Sequence, residues 1–226
     1  MKNTSLQLLG IALILSLLSS CAKEESENVN QDSIYSIYEL FYNVNSDLTT
    51  ARATFRFGGA TGTLLQLNDP AAATFEGDAL LYNSLLGVHS KEYAGLKPSG
   101  TFTYADLDNH TFVNSTPTIA TIDYPVVDTI YTDSAYTFTW TGSPIAANET
   151  ITLTIDGTQQ SNFEVVSSST EGATELIIPA SKLQNLGIGD ATFTLQRAHN
   201  TFSVVGTSTG GRMALWYTTQ KTIYIE

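Results

Sequence analysis

Apolar and polar residues alternate one by one along several stretches of this chain, a period of two that predicts half-buried β-strands. In Ala51-Arg52-Ala53-Thr54-Phe55-Arg56-Phe57 the apolar residues take the odd positions. Tyr136, Phe138 and Trp140 share one face of the stretch Tyr136 to Thr141. Ile151, Leu153 and Ile155 share a face of the next, which runs into Asp156-Gly157, a tight-turn signal. The same reasoning predicts strands over 64–67, 101–104, 164–167, 175–178, 192–196, 213–217 and 221–225, the last two as a closing hairpin, with Gly210-Gly211 turning the chain into the first of them. Residues 34–44 are ambiguous. Ile34, Ile37, Tyr38, Phe41 and Tyr42 have helical spacing, yet Tyr38, Leu40, Tyr42 and Val44 alternate, and the neighbouring strands favour a strand. Ser181 to Leu186 predicts one helical turn.

No long helical pattern and no strand–helix alternation occur, which excludes doubly wound and barrel-type α/β folds. Short strands between Gly, Asn, Asp and Ser turns point to sandwiches, and about seven strands per half matches an immunoglobulin-like module of ~100 residues. A boundary falls near Thr116 to Asp128, an extended segment carrying Pro117 and Pro125. The predicted fold class is therefore all-β: two tandem immunoglobulin-like β-sandwich domains, residues 34–120 and 126–226. They follow a signal peptide, 1–20, and a short acidic flexible tether, 21–33.

The N-terminus carries the signal. Lys2 precedes an apolar run from Leu8 to Leu15, extended by Leu17 and Leu18, and Ser19-Ser20-Cys21 follows. The run is too short to span a bilayer comfortably. Leu18, Ser19, Ser20 and Cys21 together resemble the end of a bacterial lipoprotein signal peptide, which implies cleavage before Cys21 and acylation of its thiol. Cys21 is the only cysteine, so no intrachain disulfide is available. Ala22-Lys23-Glu24-Glu25-Ser26-Glu27 resembles the acidic segment behind the lipidated cysteine of Bacteroidota-type surface lipoproteins. That resemblance implies an outer-membrane location facing the cell exterior, with a periplasm-facing anchor as the alternative. From about Asp128 onward, Phe138-Thr139-Trp140-Thr141-Gly142, Asn148 to Leu153, Ile177-Ile178-Pro179-Ala180 and Gly189 to Leu195 resemble immunoglobulin-like modules of such lipoproteins. Asp32-Ser33-Ile34, Asp128-Thr129-Ile130 and Asp133-Ser134-Ala135 resemble Bacteroidota-type O-glycosylation sites, with Ser33, Thr129 and Ser134 as acceptors.

Charge narrows the partners. The full chain carries a formal net charge of −12, and losing Lys2 with the signal makes the remainder more negative. Such a body is soluble and is repelled by nucleic acid, so nucleic-acid binding is excluded and the acyl chains alone hold it at a membrane.

Candidate chemistry is sparse. His89, His110 and His199 are not paired with one another at metal-ligand spacing, so neither a metal nor a cofactor is expected. Gly206-Thr207-Ser208-Thr209-Gly210 matches the nucleophile-elbow pattern in letters, but it leads into a predicted strand where an elbow needs a helix. Asp69, Glu76, Asp78, Asp106 and Asp108 could supply paired carboxylates, without a reason to pair any two. Asp106-Leu107-Asp108-Asn109 could offer oxygens to calcium, but it lacks the glycine and the distal glutamate of a calcium loop. Gly58 to Thr63 lacks the lysine and helix of a phosphate cradle and reads as a hairpin loop. Among the aromatics, Tyr93, Trp216 and Tyr217 could serve an interface or stack on sugar rings. Trp216 stands out because it falls opposite the face of Met213, Leu215 and Tyr217. The expected function is that of a non-catalytic scaffold or accessory subunit of an outer-membrane protein complex. A surface glycan-binding module is the alternative, and an esterase or glycosidase comes third. Coplanar aromatics beside acids or amides in a shallow groove would favour the glycan reading.

Overall fold

The computed structural model describes residues 23–158, 162–201 and 204–226. Its strands in chain order are β1 (Glu24–Glu25), β2 (Ile34–Asn43), β3 (Leu48–Phe57), β4 (Thr63–Gln66), β5 (Ala72–Phe75), β6 (Asp78–Ala79), β7 (Leu81–Asn83), β8 (Val88–Ala94), β9 (Thr101–Ala105) and β10 (Thr111–Ser115). They continue with β11 (Ile122–Asp123), β12 (Thr129–Ile130), β13 (Tyr136–Thr139), β14 (Thr141–Gly142), β15 (Glu149–Asp156), β16 (Phe163–Ser168), β17 (Glu175–Ile178), β18 (Gly189–Thr201) and β19 (Gly211–Ile225). Among the described residues the one α-helix is α1 (Ala180–Leu186), and no helix is long and apolar enough to cross a membrane.

The fold is an all-β sandwich built on one long sheet. That sheet runs β1-β4-β3-β2-β19-β18-β15-β16, with β8 and β7 added beyond β3 and β12 added to the end of β19. Smaller layers cover one of its faces. Over the first half lies the four-stranded sheet β10-β9-β5-β6, and over the second lie the pairs β11-β14 and β13-β17 together with α1. Each half encloses its own core. Tyr38, Leu40 and Phe55 of the long sheet meet Phe75, Phe102 and Tyr104, with the Tyr38 and Phe102 rings stacked 5.1 Å apart. Ile151, Leu153, Phe193 and Leu195 meet Phe138, Ile178, Leu183 and Leu186 in the second core. Ile119 packs in the first core and Ile122 in the second.

Strand β19 joins the two. Its residues 211–218 pair in parallel with β2, so Met213 and Leu215 enter the first core, while Ile223 and Ile225 enter the second. Tyr217, midway, packs against both. The closing hairpin expected over 213–225 is therefore a single 15-residue strand. The physical reason is that Thr218-Thr219-Gln220 looks like a break in hydropathy but keeps the alternation. Thr219 is buried, and the Lys221 ammonium donates to the Val127 carbonyl at 2.6 Å. The domain expected at 126–226 thus lends its last strand to the domain expected at 34–120, and the two sandwiches share one sheet.

The described part of the expected flexible tether, residues 23–33, is docked. β1 pairs in parallel with β4. Ser26 is fully buried and accepts the Asn68 N–H at 2.9 Å. The buried Gln31 amide donates to the Ser26 and Val29 carbonyls at 2.8 and 3.0 Å. A polar segment orders when its donors and acceptors find such partners, which composition alone does not reveal. The expected tight turn at Asp156-Gly157 is also different, because the Gly157 N–H reaches the Asn162 carbonyl at 2.7 Å across a longer loop. Glycine is required there by close approach: a Cβ on Gly157 would stand 2.4 Å from the Leu186 carbonyl oxygen.

Candidate ligand-binding face

Both cores lie on the same side of β19, on the face of Met213, Leu215, Ile223 and Ile225. Side chains one residue out of phase project from the opposite, outer face. Strand register brings five of them into one row directly across the sheet: Ala198 opposite Trp216, Trp216 opposite Phe41, Phe41 opposite Thr50, and Thr50 opposite Glu92. Four inter-strand steps of about 4.8 Å make this row roughly 19 Å long.

The centre of the row is aromatic. The Phe41 and Trp216 rings stack nearly parallel, 4.3 Å apart at an angle of 6°. The Arg52 guanidinium covers the other side of the Phe41 ring at 4.8 Å, a cation–π contact. The strand neighbour on the far side of Trp216 is Ala198, whose methyl group cannot cover an indole. Trp216 is accordingly only half-buried, with one ring face engaged by Phe41.

Polar rows flank the aromatic one. On one side Gln196, Thr218 and Asn43 lie in register, and the Gln196 amide donates to the Thr218 hydroxyl at 3.2 Å. On the other, Glu39 lies opposite Arg52, with their charged groups 3.6 Å apart. Burial pushes the Glu39 carboxyl up from its ordinary value, against the pull of Arg52 and Arg212. Next to the stack is a shallow groove of about 300 Å³ lined by Phe41, Asn43, Thr50, Arg52, Glu92 and Thr218. Its volume is at the low end for ligand sites, and Tyr42 and Leu48 add apolar surface to its walls.

Of the residues that sequence reasoning singled out, Leu18, Ser19, Ser20 and Cys21 lie outside the described residues. Trp216 stands on the outer face at the centre of the row. Tyr217 is turned the other way, toward the cores. Tyr93 is half-exposed and donates to the Phe75 carbonyl at 3.2 Å. Ser134 is exposed, whereas Thr129 and Ser33 are half-buried in paired or turned backbone. The loop Gly206 to Gly210 leads straight into β19. The Thr207 hydroxyl donates to the Ile34 carbonyl, and the Ser208 and Thr209 hydroxyls donate to that of Asp32, so this serine helps anchor the loop to the preceding chain. Asp106, Asp108 and His110 do come together, with one ligand atom of each within 4.8 Å of the others. The buried Asp106 carboxylate already accepts the His110 N–H at 2.8 Å and meets its Nδ1 at 3.1 Å, which closes the turn. Phe41, Glu39, Arg52 and Asn43 were not foreseen as site residues. The available signal was Phe41 itself, a large aromatic out of phase with the core positions Tyr38, Leu40 and Tyr42.

His89 is buried on β8, and the Leu67 N–H points at its Nε2 from 3.4 Å, so the imidazole is neutral with its proton on Nδ1. Burial pushes its pKa down to about 4. The unfolded chain, with an ordinary histidine pKa near 6.5, takes up the proton first as pH falls. This residue is therefore expected to remove up to about 3 kcal/mol of stability between about pH 6.5 and 4. Urea unfolding across that window measures it, and His89→Gln should flatten the slope relative to the parent. Equal slopes would contradict the assignment.

A scan against protein-family models found no match, and a search of curated proteins found none. Among solved structures, one similar chain comes from a study of host-cell-surface retention of a 1.5-MDa bacterial ice-binding adhesin. Identity is 14% and the TM-score 0.25, over 87% of this chain and 66% of that one, just under two thirds of its length. The all-β sandwich assignment accordingly rests on the strand pairing and the two enclosed cores.

Proposed function

We propose that this protein is a non-catalytic outer-membrane lipoprotein, anchored through Cys21 and facing the cell exterior, that binds a glycan across the outer face of its long sheet. The observation that carries the binding assignment is the half-buried Trp216 indole, stacked on Phe41 on one side and with the small Ala198 as its direct strand neighbour on the other. A sugar ring has an apolar face and a rim of hydroxyls. A half-buried indole with the polar Thr218 and Gln196 beside it supplies both kinds of contact, and the adjoining groove adds Arg52, Glu92 and threonine hydroxyls. This geometry favours the glycan reading over the accessory-subunit reading that sequence reasoning put first. The second reading keeps one supporting observation: Trp, Phe and Arg ringed by polar residues is also the composition of a protein-binding hot spot.

Titration with neutral and acidic oligosaccharides, followed by tryptophan fluorescence, tests the proposal. Trp140 is buried and Trp216 half-buried, so a saturable change reports on Trp216. Trp216→Ala is expected to weaken binding by about 30-fold or more while costing only about 1–2 kcal/mol of stability from the lost stack and strand preference. No saturable change with any glycan, together with a stoichiometric protein partner lost in Trp216→Ala, would establish the accessory-subunit role instead.

A further inference from the structure

The turn joining β7 to β8 displays two leucines to solvent. Leu85 is 89% exposed and Leu86 56%, where hairpin tips ordinarily carry polar residues. The tip is a built feature. Asn83 Oδ1 accepts the Leu85 and Leu86 N–H groups at 3.0 and 3.2 Å, and the Gly87 N–H closes on the Asn83 carbonyl at 2.8 Å. The turn also sits tightly on β4, since a Cβ on Gly87 would stand 2.8 Å from Leu64 Cδ1.

The described chain begins at this same place. Glu24 pairs with Leu65, the neighbour of Leu64, and the Lys23 ammonium lies 5.8 Å from the centre of the Tyr82 ring on β7. Cys21 lies only two positions before Lys23, a span of at most about 7 Å. Acyl chains on Cys21 would therefore start within that reach of Lys23, which itself lies beside β7. Phe57, 38% exposed, adds an apolar side chain where β3 turns into β4, lining the same shallow groove as Glu24.

The geometry points to Leu85 and Leu86 as a second membrane contact, inserting into the lipid surface beside the acylated Cys21 and fixing how the protein stands on the bilayer. The inference rests on the lipoprotein reading. Acyl chains alone tether a protein without orienting it, whereas a rigid apolar tip next to the tether does orient it. The leucines would enter the headgroup–acyl boundary, roughly 5–10 Å deep. Glu24, Glu25 and Glu27 lie at the same end of the chain and make a zwitterionic surface the favoured one.

The full acylated protein, reconstituted in phosphatidylcholine vesicles, supplies the test. With Cys21 acylated, Leu85→Cys provides the only free thiol for an environment-sensitive fluorophore, and Ser134→Cys provides an exposed control. Flotation of the parent with the vesicles, lost in Cys21→Ala, checks the lipoprotein reading separately. The expected result is a blue shift at position 85 and quenching by spin-labelled lipid at least about threefold stronger than at position 134, as interfacial insertion requires. Flotation with an aqueous probe at 85 would overturn the membrane contact and leave the anchor standing. A probe at 85 buried in native membranes but aqueous in pure lipid vesicles would overturn it in favour of a protein partner. Failure to float would remove the anchor and the contact together.

Discussion

Replacing Arg197 with methionine is expected to lower the free energy of unfolding by about 3–5 kcal/mol, the range for breaking a buried ion pair by removing one partner. Arg197 is 3% exposed and ties together β18, β15 and the loop of Ser143 and Pro144. From β18 its guanidinium donates to the Ser143 carbonyl at 2.9 Å, to the Pro144 carbonyl at 2.7 Å and to the Glu149 carboxylate on β15. Methionine fills much of the same volume, so the loss measures interactions rather than a cavity. It leaves a buried carboxylate without its cation and the Pro144 carbonyl without its guanidinium donor, while the Ser143 carbonyl keeps the Trp140 indole N–H at 3.2 Å. Burial pushes the Glu149 carboxyl up, but the Arg197 hydrogen bond, the Ala146 N–H and the nearby positive charge together hold it below the usual carboxylate range. Its contribution is therefore complete above the unfolded-chain value and disappears as pH falls through the lower folded value. In Arg197→Met, Glu149 loses that support, and acid should stabilise the variant relative to its own neutral state. Urea unfolding of Arg197→Met, Glu149→Leu and the double variant decides the matter. A double variant close to the parent, with each single one poor, is the expected pattern. A single-variant loss under 1 kcal/mol would mean that the pair is not buried in solution.

Tyr124→Phe should cost about 2–4 kcal/mol by deleting one oxygen, because several backbone groups depend on it. The Tyr124 hydroxyl donates toward the Phe193 carbonyl at 2.6 Å, with the Thr219 carbonyl also in reach at 3.0 Å, and accepts the Leu195 N–H at 2.9 Å. Leu195 and Thr219 are opposite partners on β18 and β19. A side chain from the segment between the halves thus takes part in the ladder of the shared sheet. Burial pushes the phenol far above its ordinary pKa, so the hydroxyl keeps its proton at neutral pH. Phenylalanine leaves the Leu195 N–H without that acceptor in a partly buried site. Faster amide exchange at Leu195, with little change at core amides of β2, is the local signature. An unchanged urea midpoint would show that water replaces the hydroxyl at no cost.

The sequence made the strands legible wherever one face is buried and the other wet. Residues 51–57 and 151–155 alternate strictly, and β3 and β15 occupy those places. β8 and β10 escaped notice for the same reason in reverse. Val88–Ala94 mixes His, Ser, Lys and Glu near the sheet edge, and Thr111–Ser115 is mostly exposed, so neither leaves a clean period of two. The docking of residues 23–33 escaped too, because it depends on Asn68 and Leu107, more than forty residues away for Ser26 and more than seventy for Gln31.

By itself the sequence determined the all-β class and the face on which Trp216 stands, and it carries the apolar run before Ser19-Ser20-Cys21 on which the lipoprotein proposal rests. These are local properties: alternation within one strand, or a motif read residue after residue. The tertiary structure decided what lies beside what. Phe41, Thr50 and Glu92 join Trp216 only because β2, β3, β8 and β19 pair in one register, and a shift of a single residue in any of them would scatter the row between the two faces. The leucine tip meets the start of the described chain only because β1 and β7 both fold against the edge of the same sheet. Register and long-range pairing are set by the summed packing of two cores, a quantity no single stretch of sequence contains.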